Sequence, residues 1–134
     1  MTKAFVSVSL DDTLFTIRNI FERANFHHLL VVDNKQLSGV ISDRDLLKAI
    51  SPNIGTAAEL ARDSATLNKK VHQIMNRKLA TLTTDASIFD AIDIFNHTKM
   101  SCIPIIDDNN HPVGILSWRD IMKALGERNA ERNS

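Results

Sequence analysis

The chain contains two copies of one sequence unit, and this repeat limits its fold more than any other feature of its 134 residues. Residues 1–34 align with residues 75–108 without a gap, at a constant offset of 74. One inserted residue in the turn after Asp107 then makes the offset 75, so that Gly39–Leu46 aligns with Gly114–Ile121. An internal repeat indicates a duplicated structural unit. Because a unit of roughly 50 residues buries little surface alone, we expect the two copies to pack as a pair.

The pattern of apolar residues predicts a β-α-β-β-α unit. In the first copy it indicates strands at 4–8, 29–32 and 37–41, a helix at 13–25 capped by Asp11 or Asp12, and a second helix from Ser42 to about Ile50. The short connection between the last two strands predicts a hairpin. The second copy repeats this order at 79–82, 87–98, 103–106 and 113–116. Pro104 is expected at a strand start or an edge, and Gly126 at the end of the final helix.

The predicted fold is α/β of the α+β type, in four parts. Residues 1–50 form the first repeat, 51–73 a connector, 74–125 the second repeat and 126–134 a polar tail. The connector is rich in helix formers and poor in Gly, Pro and Ser, so we expect it to be ordered and helical. Its helical stretches are predicted at 57–62 and 67–74, with a break or cap at Asp63-Ser64.

Composition argues against several classes of protein. The formal net charge is zero with acids and bases interspersed, which disfavours a nucleic-acid surface. The sequence has neither an apolar run of about 20 residues nor a secretory signal pattern. A single cysteine, Cys102, precludes an internal disulfide, fits the cytoplasm and is interpreted as a buried thiol. We find no metal-ligand spacing among the five histidines, no phosphate loop and no nucleophile–base pair, so we expect neither an enzyme nor a metal site.

The motif Gly-φ-φ-Ser-x-x-Asp, where φ is apolar, occurs at 39–45 and again at 114–120. The strand Cys102–Asp107, with proline at its third position, has a first-copy counterpart in His28–Asp33. In these motifs the chain resembles a pair of cystathionine β-synthase (CBS) domains, the Bateman module. The resemblance implies two repeats related by a pseudo-two-fold axis, with two clefts between them. Family members commonly form homodimers, bind adenosine derivatives and regulate an attached or partner protein.

The resemblance also implies which residues line each cleft. One cleft would combine Ser117 and Asp120 with Ala4, Val6, Phe26, His27 and His28. The other would combine Ser42 and Asp45 with Lys78, Ala80, Met100, Cys102 and Pro104. In such clefts the aspartate takes the ribose hydroxyls, the serine faces phosphate, and apolar strand residues and main-chain groups hold adenine. Arg44, Arg119 or Lys78 would offset phosphate charge, and the helix after each serine offers free N–H groups to an anion.

Two departures from the family pattern lead to further expectations. Trp118 stands where the first copy has Asp43, so the clefts should differ; Trp118 itself should lie at an interface or stack on a base. Residues 69–74 precede the second copy and can build a pocket wall, whereas the first copy starts at Met1. The cleft of Ser117 and Asp120 is therefore expected to be incomplete, and the chain is interpreted as a possible fragment of a longer protein.

Two functions follow from this sequence. The first is a cytoplasmic regulatory module that binds an adenosine-containing nucleotide such as AMP, ADP or ATP and signals to a partner, with no cofactor required. S-adenosylmethionine, NADH and cyclic dinucleotides would also suit a carboxylate that reads ribose. The second is a ligand-free scaffold for dimerisation or docking, in which Ser-x-x-Asp is only a helix-capping box.

Overall fold

The computed structural model describes residues 5–24 and 26–132, with side chains described as far as Glu127. Both copies have the predicted β-α-β-β-α order. The elements are β1 (Ser7–Val8), α1 (Leu14–Arg23), β2 (His28–Asp33), β3 (Gln36–Ser42), α2 (Asp43–Ala49), α3 (Ala61–Ser64), β4 (Leu82–Thr83), α4 (Ile88–His97), β5 (Cys102–Ile106), β6 (Pro112–Ser117) and α5 (Trp118–Arg132). Two 3₁₀ turns, Ala65–Asn68 and Val71–Gln73, complete the connector.

The chain divides into two compact units whose limits differ from those of the sequence repeats. The first repeat and the whole connector lie in one unit, Val6–Leu79, which we call the first unit. The second unit comprises Met1–Phe5 and Ala80–Ser134. Each unit therefore contains one complete set of three strands. No helix in the described ranges is long and apolar enough to cross a membrane.

Each unit contains a three-stranded sheet whose middle strand is β2 or β5. The middle strand pairs in parallel with the short first strand and antiparallel with the third. The first hairpin turns at Asn34 (φ 51°) and Lys35 (φ 68°). Two consecutive positive φ angles give the turn a twist that matches paired strands. The register places His28 opposite Ser42 and, in the second unit, Cys102 opposite Ser117.

The connector completes the hydrophobic core of the first unit. Val71 is fully buried and Met75 is 8% exposed, and both pack with Leu14 from α1. Backbone bonds fasten this segment to the loop before α1: Val71 N–H donates to Asp12 O at 2.8 Å, and Leu14 N–H donates to Lys69 O at 3.0 Å. The connector is thus ordered, as predicted, because it supplies core residues that the first repeat lacks.

The connector is less helical than its composition predicts. Residues 57–60 are not helical, and 67–74 forms only 3₁₀ turns. Asp63 and Ser64 lie within α3, and of the two alternatives predicted there, a break or a cap, the structure shows a cap formed by Asp63. The buried Asp63 carboxylate accepts hydrogen bonds from Leu60 N–H at 2.8 Å and from the Ser51 hydroxyl at 2.7 Å. These bonds lower the pKa of Asp63 and hold the chain in a short capped turn, which local helix propensity cannot anticipate.

Three other local predictions are wrong. The α1 cap is Thr13, whose hydroxyl accepts from Thr16 N–H; Asp12 instead accepts from Ser9 N–H at 2.8 Å. The final helix continues through Gly126 because this glycine does not adopt the positive φ that ends a helix. Pro104 lies inside the middle strand β5, and β4 pairs only with Ile105 and Ile106. The pairing of β4 with β5 therefore needs no N–H donor from residue 104.

Candidate functional site

Ser42 and Asp45 lie where β3 passes into α2, and together they form a capping box. Ser42 Oγ accepts a hydrogen bond from Asp45 N–H at 3.0 Å, and Asp45 Oδ2 accepts one from Ser42 N–H at 2.9 Å. Among the described residues, no hydrogen bond engages the other carboxylate oxygen, Oδ1 of Asp45. The half-buried aspartate can therefore hold the helix start with one oxygen and accept from a ligand hydroxyl with the other.

The antiparallel register brings two histidines to this capping box. His28 pairs with Ser42, and the preceding carbonyl, His27 O, accepts from Asp43 N–H at 3.0 Å. His27 Nδ1 also lies 3.0 Å from Asp43 Oδ2. We call His27, His28, Ser42, Asp43 and Asp45 the first half-site. The pairing of Asp43 with His27 was not predicted from the sequence, although the hairpin register could have revealed it.

The electrostatics of the first half-site centre on His28. Burial lowers the pKa of His28 below its ordinary value of 6.5, and His27 acts in the same direction. Asp43 and Asp45 oppose this shift without cancelling it. The imidazole is therefore mostly neutral at neutral pH.

The lowered pKa of His28 predicts an acid-dependent loss of stability. Below pH 6.5 the unfolded chain takes up a proton at this residue more readily than the folded chain does, so the free energy of unfolding falls as pH falls. His28→Gln should remove this contribution. Urea unfolding at pH 7.5, 6.5 and 5.5 should show a smaller acid-induced loss in the variant than in wild type. Equal losses in both proteins would contradict the assignment.

The second half-site is formed by Cys102, Ser117, Trp118 and Asp120. Asp120 Oδ2 accepts from Ser117 N–H at 2.9 Å and Asp120 N–H donates to Ser117 Oγ at 3.3 Å, which repeats the capping box. Cys102 is buried, and burial raises its pKa to about 12. Its thiol is therefore protonated at neutral pH and poorly suited to nucleophilic attack, which confirms the interpretation as a buried thiol.

Trp118 makes the two half-sites chemically different. Its ring stacks on Phe95 of α4, with centroids 4.6 Å apart and an interplanar angle of 28°. Trp118 is still 38% exposed, so part of the indole remains accessible. In the first half-site the corresponding residue, Asp43, is a carboxylate paired with His27. The first half-site is therefore polar and charged, whereas the second presents an aromatic ring.

The other predicted site residues lie in several different environments. Val6, Phe26 and Ala80 are half-buried, Pro104 is buried, and Lys78 is exposed. Ala80 N–H donates to Met100 Sδ at 3.4 Å, so these two residues are neighbours within the second unit. Ala4 lies outside the described residues. Each predicted cleft draws residues from both units, and their pairing across the repeats stays a prediction.

The duplicated half-sites on small β-α-β-β-α units define the class of the protein as a tandem-repeat α+β module. The profile of the CBS domain family matches residues 1–52 and 71–127. The chain belongs to this family, as a pair of CBS repeats, which confirms the predicted family and fold class.

Solved CBS-pair structures support the same fold. The CBS domain pair of protein MJ0100, solved with 5′-methylthioadenosine and S-adenosyl-L-methionine, is 25% identical with a TM-score of 0.75; the match covers 96% of this chain and 93% of that one. The cytosolic domain of the Mg²⁺ channel MgtE, solved with ATP, is also 25% identical with a TM-score of 0.74. That match covers 92% of this chain and 46% of that one.

Curated relatives include larger proteins. The chain is 31% identical over 122 residues to the inosine-5′-monophosphate dehydrogenase of Methanocaldococcus jannaschii, a match that covers 90% of this chain and 22% of the enzyme. Across three curated relatives the chain spans between 22% and 43% of their length. The CBS pair is therefore a module that also occurs as a part of longer proteins.

Proposed function

We propose that this CBS pair is a regulatory module that binds an adenosine-containing nucleotide and passes the binding event to a partner protein. The observation that carries the proposal is the position of the Asp45 carboxylate. It is half-buried, and its Oδ2 is fixed by the capping bond from Ser42 N–H. Its Oδ1 has no hydrogen-bond partner among the described residues. A fixed carboxylate oxygen is a suitable acceptor for a ribose hydroxyl. Two relatives at 25% identity, solved with ATP and with S-adenosyl-L-methionine, support an adenosine ligand.

The residues around Asp45 suit the rest of such a ligand. The α2 helix begins at Asp43, and two of its first three N–H groups, those of Asp43 and Asp45, already donate to His27 O and Ser42 Oγ, so only the Arg44 N–H is left to face an anion. Arg44 follows on the exposed surface and can offset phosphate charge. Adenine would then be held by the apolar residues predicted opposite in the second repeat: Ala80, Met100, Cys102 and Pro104.

The regulatory part of the proposal requires that the module has two conformations. A ligand can shift a protein between two conformations only through a difference in affinity for them. We place the chain in the cytoplasm as a homodimer with no catalytic residues of its own, in which nucleotide binding changes the surface that a partner protein reads. Neither a metal nor nucleic acid is part of this proposal.

Calorimetric titration with AMP, ADP, ATP, S-adenosylmethionine and NADH tests the proposal. We expect micromolar binding of at least one of them, and Asp45→Ala should weaken it by tenfold or more because a ribose acceptor is lost. Asp120→Ala should show whether the second half-site binds as well. Asp90→Ala is the matched control, since Asp90 closes the same capping box with Ser87 at 2.9 Å at the start of α4.

The control separates ligand recognition from helix capping. Asp90→Ala should cost a similar capping energy, about 1 kcal/mol, yet leave nucleotide affinity unchanged. If none of these five adenosine-containing ligands binds the folded protein, the proposal is overturned. The scaffold alternative, in which both capping boxes serve only the fold, would then be the better explanation.

A further inference from the structure

The Ser-x-x-Asp motifs of the two half-sites differ in charge at a single position. The serine, the arginine and the final aspartate recur in both motifs, as Ser42, Arg44 and Asp45 in the first and as Ser117, Arg119 and Asp120 in the second. The residue after the serine is Asp43 in the first motif and Trp118 in the second. The first motif therefore carries one more negative charge than the second.

The Asp43 carboxylate is held at the first half-site and remains accessible there. His27 Nδ1 lies 3.0 Å from Asp43 Oδ2, and 46% of the Asp43 side chain is exposed. Burial lowers the pKa of His28, and the charges of Asp43 and Asp45 both act to raise it. Both carboxylates therefore lie close enough to one imidazole to act on it. A ligand bound at Asp45 would meet both charges.

The first half-site has few groups that can bind an anion. The α2 helix has only seven residues, and its first N–H, that of Asp43, donates to His27 O at 3.0 Å. Asp45 N–H donates to Ser42 Oγ, also at 3.0 Å. The N–H and the guanidinium of Arg44 remain to face a phosphate. One guanidinium and one N–H suit one phosphate group better than a chain of three.

We propose that Asp43 makes the first half-site selective for adenosine ligands with no more than one phosphate and sets it against triphosphates. The Asp43 charge repels each added phosphate, whereas Arg44 offsets the charge of about one. Arg44 and Lys78, the cations predicted for this cleft, are exposed, so solvent and salt screen them more than the half-buried carboxylates. This inference rests on the proposed nucleotide binding and names the ligand class that the first half-site accepts.

Calorimetric titration of the full chain with adenosine, AMP and ATP tests this selectivity. The buffer is held at about pH 8, where histidine is ordinarily neutral, and contains EDTA so that no divalent cation masks the phosphate charge. Binding that Asp45→Ala weakens is assigned to the first half-site. There we expect AMP to bind about tenfold more tightly than ATP, or better.

Asp43→Asn keeps the size of the side chain and removes its charge. It should tighten ATP binding and reduce the ratio of the two affinities to about threefold or less, with the affinity for adenosine unchanged. A second measurement needs no variant. Raising the salt concentration from about 50 mM to about 500 mM should narrow the wild-type ratio, because screening weakens the repulsion.

Asp93→Asn is the matched control for loss of a carboxylate paired with a histidine. Asp93 Oδ1 lies 3.2 Å from His97 Nδ1 on α4, outside both half-sites, so this variant should leave the ratio unchanged. ATP that binds as tightly as AMP at the Asp45-dependent site overturns this inference and leaves nucleotide binding intact. The same holds for a ratio that Asp43→Asn does not alter. If none of the three ligands binds, the proposed function falls as well.

Discussion

Val71→Ala is expected to lower the free energy of unfolding by about 2–3 kcal/mol. Val71 is fully buried in the first-unit core although it belongs to a connector that the repeat does not contain. Truncation removes two methyl groups from contact with Leu14 and leaves a cavity. The backbone bond from Val71 N–H to Asp12 O keeps the segment in place, so the core cannot collapse to fill the space.

Equilibrium urea unfolding followed by circular dichroism measures this effect. The matched control is Leu60→Ala, a larger truncation in the same connector at a side chain that is 52% exposed. It should change stability by no more than about 0.5 kcal/mol. Equal effects from the two variants would mean that the connector does not form part of the first-unit core.

Gly39→Ala should destabilise the protein by about 1–3 kcal/mol. A Cβ atom added at Gly39 would lie 2.6 Å from Met75 Sδ and 3.0 Å from Asn76 O. The backbone of Asn76 cannot retreat easily, because it exchanges two hydrogen bonds with Val40, at 2.8 and 3.1 Å. The glycine that opens each Gly-φ-φ-Ser-x-x-Asp motif is thus needed in the first copy for the close approach of the connector.

Gly126→Ala gives the contrasting result in the same chain. Gly126 lies within α5, and an added Cβ there meets no atom within 4 Å. Alanine should stabilise the helix by about 0.5–1 kcal/mol because it restricts the unfolded chain. Thermal unfolding of both variants beside wild type checks the pair; a rise in Tm for Gly39→Ala would contradict the close packing.

The sequence predicts the repeated elements well because each element carries a strong local pattern. The repeat, the apolar runs of β2 and β3, and the serine cap of α2 all appear as expected. The connector was misjudged since its shape depends on distant contacts. Asp63 reaches back to Ser51, and Val71 fills a core formed by another part of the chain. Helix propensity contains no information about such contacts.

The candidate site could be predicted only in part, for the same reason. Ser42, Asp45, Ser117 and Asp120 follow from a short motif, and the structure places each pair in a capping box. The pairing of His27 with Asp43 depends on strand register, and the stacking of Trp118 on Phe95 depends on how α4 packs beside α5. These contacts join residues from different elements, so a motif within one stretch does not reveal them.

The mismatch between sequence repeat and compact unit bears on how such a protein can be divided for expression. A fragment ending at residue 50 would contain one whole sequence repeat yet lack Val71 and Met75, and so expose the core around Leu14 to water. A fragment spanning Val6–Leu79 keeps that core closed. The buried core therefore sets where an expressed fragment should end. That end, Leu79, lies some 29 residues beyond the end of the first sequence repeat.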